Sequence, residues 1–239
     1  MYDAYENYSW PFTCVNQPLN INVNGTSFQE SSVLLNNLKQ GLLLSIEANN
    51  IVDTRNYCLA ILDWGGVLNG NAARVNNKAD LVAYFNDCTN RLNPNVFNTD
   101  QFVDDIVMTA GFTKLYSLLL EDFIIYDGRV GAALGLLVRQ YCQVDNLGQV
   151  PNCLLFAWGA ARGNFPREAL NPRNPSTRNL RFPAIVQGTP HTINNIKANW
   201  ILRSILDNSD SRFNNEAQPL RALEAALFMI GYDVNGNMV

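Results

Sequence analysis

The chain has 239 residues, of which 47% are hydrophobic and 16% charged, and its net charge is −4 at pH 7. That composition is ordinary for a soluble globular protein; no apolar run approaches the ~20 residues of a membrane span, and no basic-then-apolar leader opens the chain. The five cysteines, Cys14, Cys58, Cys88, Cys142 and Cys153, are scattered and lack a Cys-x-x-Cys pair, so they read as reduced thiols of a cytoplasmic protein rather than as a disulfide framework, zinc site or iron–sulfur centre.

Residues 1–28 are rich in aromatics and Asn and show no helical period. They predict an extended arm that packs Tyr2, Tyr5, Tyr8, Trp10 and Phe12 onto the body, because a terminus is ordered only when tied down. Residues 29–239 then form one helical body. In 30–51, apolar residues at Val33, Leu34, Leu38, Leu42 and Ile46 have helix spacing, with Ser31 or Ser32 as cap. Residues 57–64 predict a buried helix that stops at Gly65-Gly66, where positive φ costs little. A polar stretch follows, then a helix over about 78–91 with Leu81, Tyr84, Phe85 and Cys88 inward. Pro94 breaks the chain, and Thr99 caps a helix near 100–108.

Residues 109–142 are the densest apolar part of the chain. A short helix starts near Phe112 with Leu115, Leu119, Leu120 and Phe123 on one face. Asp127 precedes a helix of about 15 residues with Val130, Leu134, Leu137, Val138 and Tyr141 inward. Gly128, Gly131, Ala132, Ala133 and Gly135 line part of that helix and let another backbone approach closely. Residues 143–189 are loop-rich. Thr189-Pro190 starts a helix carrying the only histidine, His191, and Pro219 opens a closing helix that stops at Gly231. Trp64, Trp158 and Trp200 read as core. The pattern is all-α.

Charge is uneven along the chain. Residues 154–206 hold seven basic side chains against Glu168 alone, a net +6 that leaves −10 for the rest. This predicts either one basic face or a loop of solvated arginines.

Gly111 and Thr113 precede Lys114 after a turn, and Ile125-Tyr126-Asp127-Gly128-Arg129-Val130 opens the long helix, with Arg139 late in it. This arrangement resembles the helix-hairpin-helix DNA glycosylases, and within them the 8-oxoguanine glycosylases. The segment around Asp127 and the closing Leu223–Tyr232 are also similar to a bacterial family with an 8-oxoguanine-glycosylase-like fold. Leu68–Val75 is similar to the Asn-rich turn and helix start with which such enzymes wedge into the DNA stack. Arg129 stands where the family commonly has His. Together these matches touch about a fifth of the chain.

The resemblance implies an all-α, two-lobed helical fold and base excision from a nucleotide flipped out of duplex DNA. It implies Lys114 as the nucleophile that displaces the base and holds a Schiff base, and Asp127 as the carboxylate that takes the lysine proton and stabilises charge on the sugar. The attack requires a neutral amine, which partial burial against Leu115 and Leu118 favours. Arg129 and Arg74 would hold phosphates, helped by the turn at Gly111 and Thr113, and Asn69 and Asn71 would contact DNA. The expected partner is DNA, bound by a monomer without a membrane, a metal or a cofactor.

Plainer readings of the same residues stand beside these. A lysine in the third position of a helix is commonly solvated, and an aspartate before a helix is commonly an N-cap. Asn69 and Asn71 fit a simple turn, and His191 fits a structural or phosphate-contacting role. Two functions other than base excision fit the chain. One is a non-catalytic nucleic-acid-binding or defence-associated protein that keeps the fold. The other is an all-α interaction protein, which the overall acidity favours.

Overall fold

A computed structural model of the chain describes residues 1–98, 103–161 and 171–236. In chain order the regular elements are α1 (Tyr2–Glu6), β1 (Phe12–Asn16), β2 (Ile21–Gly25), α2 (Phe28–Glu47), α3 (Ile51–Trp64), α4 (Leu68–Asn76) and α5 (Leu81–Leu92), followed by α6 (Phe112–Leu119), α7 (Gly128–Val144), α8 (Thr189–Asn208) and α9 (Pro219–Ile230). Among the described residues the fold is mostly helical, with one two-stranded sheet, and no helix is long and apolar enough to cross a membrane. The chain divides into two compact units: Tyr8–Phe123, and Met1–Asn7 together with Ile124–Val239. The division falls elsewhere than the predicted boundary after residue 28.

Residues 1–28 are not an extended arm. They form α1 and an antiparallel hairpin in which Phe12 pairs with Gly25 and Asn16 with Ile21. The period-2 pattern explains the hairpin: Phe12, Cys14 and Asn16 face inward while Thr13 and Val15 face out. Asn20 takes φ 53° in the turn, a conformation Asn tolerates.

Within the unit Tyr8–Phe123 the hairpin lies on α3. Cys14 Sγ donates to the Ala60 carbonyl (3.4 Å), Val15 N to Asp63 Oδ2 (2.7 Å) and Asn16 Nδ2 to the Asn56 carbonyl (3.0 Å). The helix expected over 30–51 ends at Glu47, and the buried helix expected over 57–64 starts earlier, at Ile51. Ser27, not Ser31 or Ser32, caps α2 in a reciprocal box with Glu30. The backbone amides of Ser27 and Thr26, together with the Ser27 hydroxyl, hold the Glu30 carboxyl at about 2, well below the usual range. Asn49 then turns the chain at φ 53°, and Asn50 accepts from Asp53 N (3.1 Å) to start α3.

Residues 103–108 are irregular rather than helical, and the expected cap Thr99 lies outside the described residues. The backbone at Val107 is satisfied by side chains instead: its N–H donates to the Tyr84 hydroxyl (2.9 Å), and its carbonyl accepts from the Tyr116 hydroxyl (2.9 Å).

The other unit is built around α7, α8 and α9. Its core gathers Ile124, Tyr126, Val130, Leu134, Val138, Leu202, Leu223 and Leu227. The short α1 docks through Tyr2 and Tyr5, whose hydroxyls both donate to the Glu216 carboxylate and whose rings meet Phe213. Small residues on α7 do admit neighbouring backbone. A Cβ on Gly131 would strike the Ala157 carbonyl, and one on Gly128 would come within 2.9 Å of Gly159 Cα. Two expectations fail here. Trp200 is 40% exposed and Tyr141 48% exposed, because the buried faces of α8 and α7 turn toward Asn195, Asn199 and Leu202, and toward Leu134 and Val138.

Gly131→Ala forces the 157–159 segment away from α7. We expect it to destabilise the chain by about 1–3 kcal/mol, read as a lower urea midpoint. An unchanged midpoint would show that this backbone approach is dispensable.

Candidate functional site

Lys114 and Asp127 belong to different units, Lys114 to Tyr8–Phe123 and Asp127 to the unit containing Ile124–Val239.

Lys114 is the third residue of α6. The turn before that helix is organised by Thr109, whose hydroxyl accepts from Phe112 N (3.1 Å) and donates to Asn71 Oδ1 (3.0 Å). Asn71 in turn donates to the Val67 carbonyl (2.7 Å), and its amide lies so close to Gly111 that a Cβ there would sit 2.7 Å from Asn71 Cγ. Arg74 Nη1 donates to the Gly70 carbonyl (3.1 Å) and reaches Asn71 Oδ1 at 3.5 Å. Asn69 (φ −58°, ψ 125°) and Gly70 (φ 77°, ψ −29°) have the dihedrals of a type II turn at the start of α4, and Asn69 is exposed. The fold therefore brings Asn71, Arg74 and Gly111 together although about 40 residues separate the two stretches. Thr113 is fully buried, and its hydroxyl donates to the Ala110 carbonyl (3.1 Å).

Lys114 is only 5% exposed, which removes the solvated-lysine reading. Its alkyl stem runs past Gly65, where an added Cβ would lie 2.5 Å from Cδ and 2.6 Å from Cε. Its Nζ lies 5.7 Å from the centre of the Trp64 ring. Trp64 is held by Nε1 donating to Ser31 Oγ (3.1 Å) and by an edge contact with Trp10. Sequence reasoning placed Gly65 as a helix stop and Trp64 as core; it did not connect them to Lys114. The signal available was only that a Trp-Gly-Gly stop leaves unfilled space beside an aromatic face.

Asp127 caps α7. Its Oδ1 accepts from Arg129 N (2.8 Å) and Val130 N (3.1 Å), so the N-cap reading holds. The segment before it is clamped by buried polar side chains. Ile124 N donates to Asn199 Oδ1 (2.9 Å), Asn195 Nδ2 to the Ile124 carbonyl (3.1 Å) and Ile125 N to Glu224 Oε2 (2.9 Å). Glu224 is itself paired with Arg221. The Tyr126 hydroxyl donates to the Ala157 carbonyl (2.7 Å). Asn195, Asn199 and Glu224 were missed from sequence; an Asn pair four apart in α8 and a Glu inside the apolar Leu223–Leu227 run were the available signals.

His191 Nε2 lies 2.8 Å from the Tyr126 carbonyl. A carbonyl only accepts, so Nε2 carries the proton and the ring is structural, as one of the two readings had it. Burial pushes the imidazole below its ordinary value, opposed by the Tyr126 carbonyl and the Asp127 charge. Arg129 lies over the rings of Phe228 and Tyr232. Of the basic segment, Arg162 and Arg167 fall outside the described residues, Arg178 and Arg181 are exposed, and Arg203 pairs with Asp207 (3.1 Å). Asp104 and Asp105 are exposed, and Asp105 pairs with Arg91 at 2.6 Å.

Because the folded His191 titrates below its ordinary value of 6.5, the unfolded chain binds the proton more readily. Stability is therefore full above about 6.5 and falls as pH drops from there through the folded value. We expect unfolding midpoints to decline over that window, and His191→Gln to flatten the decline. Ring resonances of this single histidine report the folded value directly; a titration at or above 6.5 would refute the shift.

No group of three or more His, Cys, Asp or Glu among the described residues is placed to hold a metal ion. Comparison with family models, with curated proteins and with solved structures finds no match to this chain.

Proposed function

We propose that this chain is a DNA base-excision glycosylase with an associated lyase step, of the helix-hairpin-helix kind that its sequence resembles. The observation that carries the reading is the burial of Lys114 in the first turn of α6, beside Trp64 and behind the turn at Gly111. Lysine is seldom drawn this far out of water, and buried titratable side chains are concentrated at functional sites.

In this reading the Lys114 amine attacks the sugar carbon of a flipped nucleotide. The new C–N bond forms as the glycosidic bond breaks, and the base leaves with the bonding electron pair. The resemblance gives Asp127 the roles of accepting the proton that the amine releases and stabilising positive charge on the sugar. Its carboxylate suits a second role because both α7 amides sit on Oδ1. Ring opening gives a Schiff base, and elimination from that imine nicks the strand. Arg129 and Arg74 bind flanking phosphates, and Asn69, exposed at the tip of its turn, meets the DNA stack.

A second reading is a nucleic-acid-binding protein without catalysis. It is favoured by one observation: the Asp127 cap is complete without any substrate.

Borohydride trapping on duplexes carrying a panel of oxidised bases separates the two. Wild-type protein should form a covalent adduct that Lys114→Ala abolishes and Asp127→Asn reduces by two or more orders of magnitude, on the order of a general-base contribution. An adduct that survives Lys114→Ala would remove the lysine from its role; no adduct on any lesion would leave the binding reading. Gly65→Ala crowds the Lys114 stem and should cut trapping while leaving the unfolding midpoint close to wild type. If trapping is unaltered, Gly65 has no part in positioning the amine.

A further inference from the structure

The end of α9 carries two aromatic rings, Phe228 and Tyr232, that the excision reading leaves unused, set beside Arg129, which it uses only as a phosphate contact. The Arg129 guanidinium lies 4.3 Å from the centre of the Phe228 ring and 5.0 Å from that of Tyr232. Backbone contacts enforce this placement. Gly231 meets the Arg129 carbonyl with no room for a Cβ. Beyond Tyr232 the chain is tied again: Val234 N donates to the Pro172 carbonyl (2.8 Å), and Arg139 Nη2 donates to the Val234 carbonyl (3.0 Å). Tyr232 thus sits on a turn pinned on both sides, yet its side chain is left 62% exposed.

A large ring held rigidly in water gains little for the fold, because apolar area contributes only when it is removed from water. Arg129 forms no ion pair with any described residue. Asp127, two residues away, spends Oδ1 on the amides of α7, and Asp233 spends Oδ1 on the amides of Asn235 and Gly236. A guanidinium held over aromatic rings keeps N–H donors to offer, and these match phosphate.

We propose that Phe228, Arg129 and Tyr232 form a nucleotide-binding stack, in which an unpaired base of a DNA strand lies on the Tyr232 ring and an adjoining phosphate takes the Arg129 N–H donors. The proposal rests on the nucleic-acid part of the reading above, not on its chemistry. A free carboxylate ligand would use the guanidinium and leave the ring idle, and an apolar peptide would do the reverse. A nucleotide uses both, and aromatic stacking beside a cation is the sequence-tolerant mode of single-strand binding. The rigid turn lowers the ordering cost on binding.

Fluorescence anisotropy of labelled oligo(dT) with the full chain at low salt tests this. Wild-type protein should bind. Tyr232→Ala should weaken binding roughly tenfold, the loss of one stacked base, and Tyr232→Phe should keep it. Arg129→Ala should reduce the slope of log affinity against log salt by about 0.7, one phosphate on a single strand. Absence of wild-type binding, Tyr232→Ala binding like wild type, Tyr232→Phe as weak as Tyr232→Ala, or an unaltered salt slope would each overturn the stack. Lesion trapping together with unaltered Tyr232→Ala binding would sink this site alone; Tyr232-dependent binding without any trapped adduct would sink the excision chemistry alone.

Discussion

The non-helical run Ile124–Tyr126 is buried, and buried backbone must find partners. Four side chains supply them. Asn199 and Asn195 take the N–H and carbonyl of Ile124, Glu224 takes the N–H of Ile125, and His191 meets the carbonyl of Tyr126. Much of what surrounds α7 depends on this clamp. It fixes where Asp127 leaves the run to cap the helix, and so where the α7 glycines meet Ala157 and Gly159 and where Arg129 meets the end of α9. Each of the four polar groups is itself buried, so an unmet bond would leave an orphaned donor or acceptor in a low-dielectric interior. That cost, about 1–3 kcal/mol per group, makes the arrangement close to all-or-none.

The unit Tyr8–Phe123 solves a similar problem with one residue. Asn71 is the polar joint between the start of α4 and the turn before α6, linking Val67, Thr109 and Arg74. Close contact with Gly111 leaves no space for a side chain on that turn. In both units a candidate functional residue is therefore presented by a short irregular segment that buried polar contacts hold still, and not by a flexible loop. Preorganisation of that kind is what the proposed excision reading asks of its amine and its carboxylate.

Legibility from the sequence followed the range of the interaction. The starts of α6, α7, α8 and α9 were readable because caps, Pro and Gly act over three or four residues. The hairpin at Phe12–Gly25 was not read, since five-residue strands rich in Asn carry a weak alternating signal and the surface that meets Cys14 and Asn16 lies on α3, 40 or more residues on. The end of α2 at Glu47 is not legible, because the positive φ of Asn49 that turns the chain there leaves no mark in the apolar spacing. Trp200 was assigned to the core on residue type, whereas the buried stripe of α8 is set by the neighbour that needs Asn195 and Asn199.

The sequence by itself determined a mostly helical chain, the turn that delivers Lys114, the cap at Asp127 and the small-residue face of α7. These depend on local backbone geometry and on side chains a few positions apart. Only the tertiary structure decided that Lys114 is buried along Gly65 and Trp64, that Asn71 touches Gly111, that two asparagines and a glutamate hold the run before Asp127, and that Arg129 lies over the rings of Phe228 and Tyr232. Those are long-range contacts. Chain entropy opposes them until the surrounding core closes, and a single sequence carries no local signature of which partner will be waiting there.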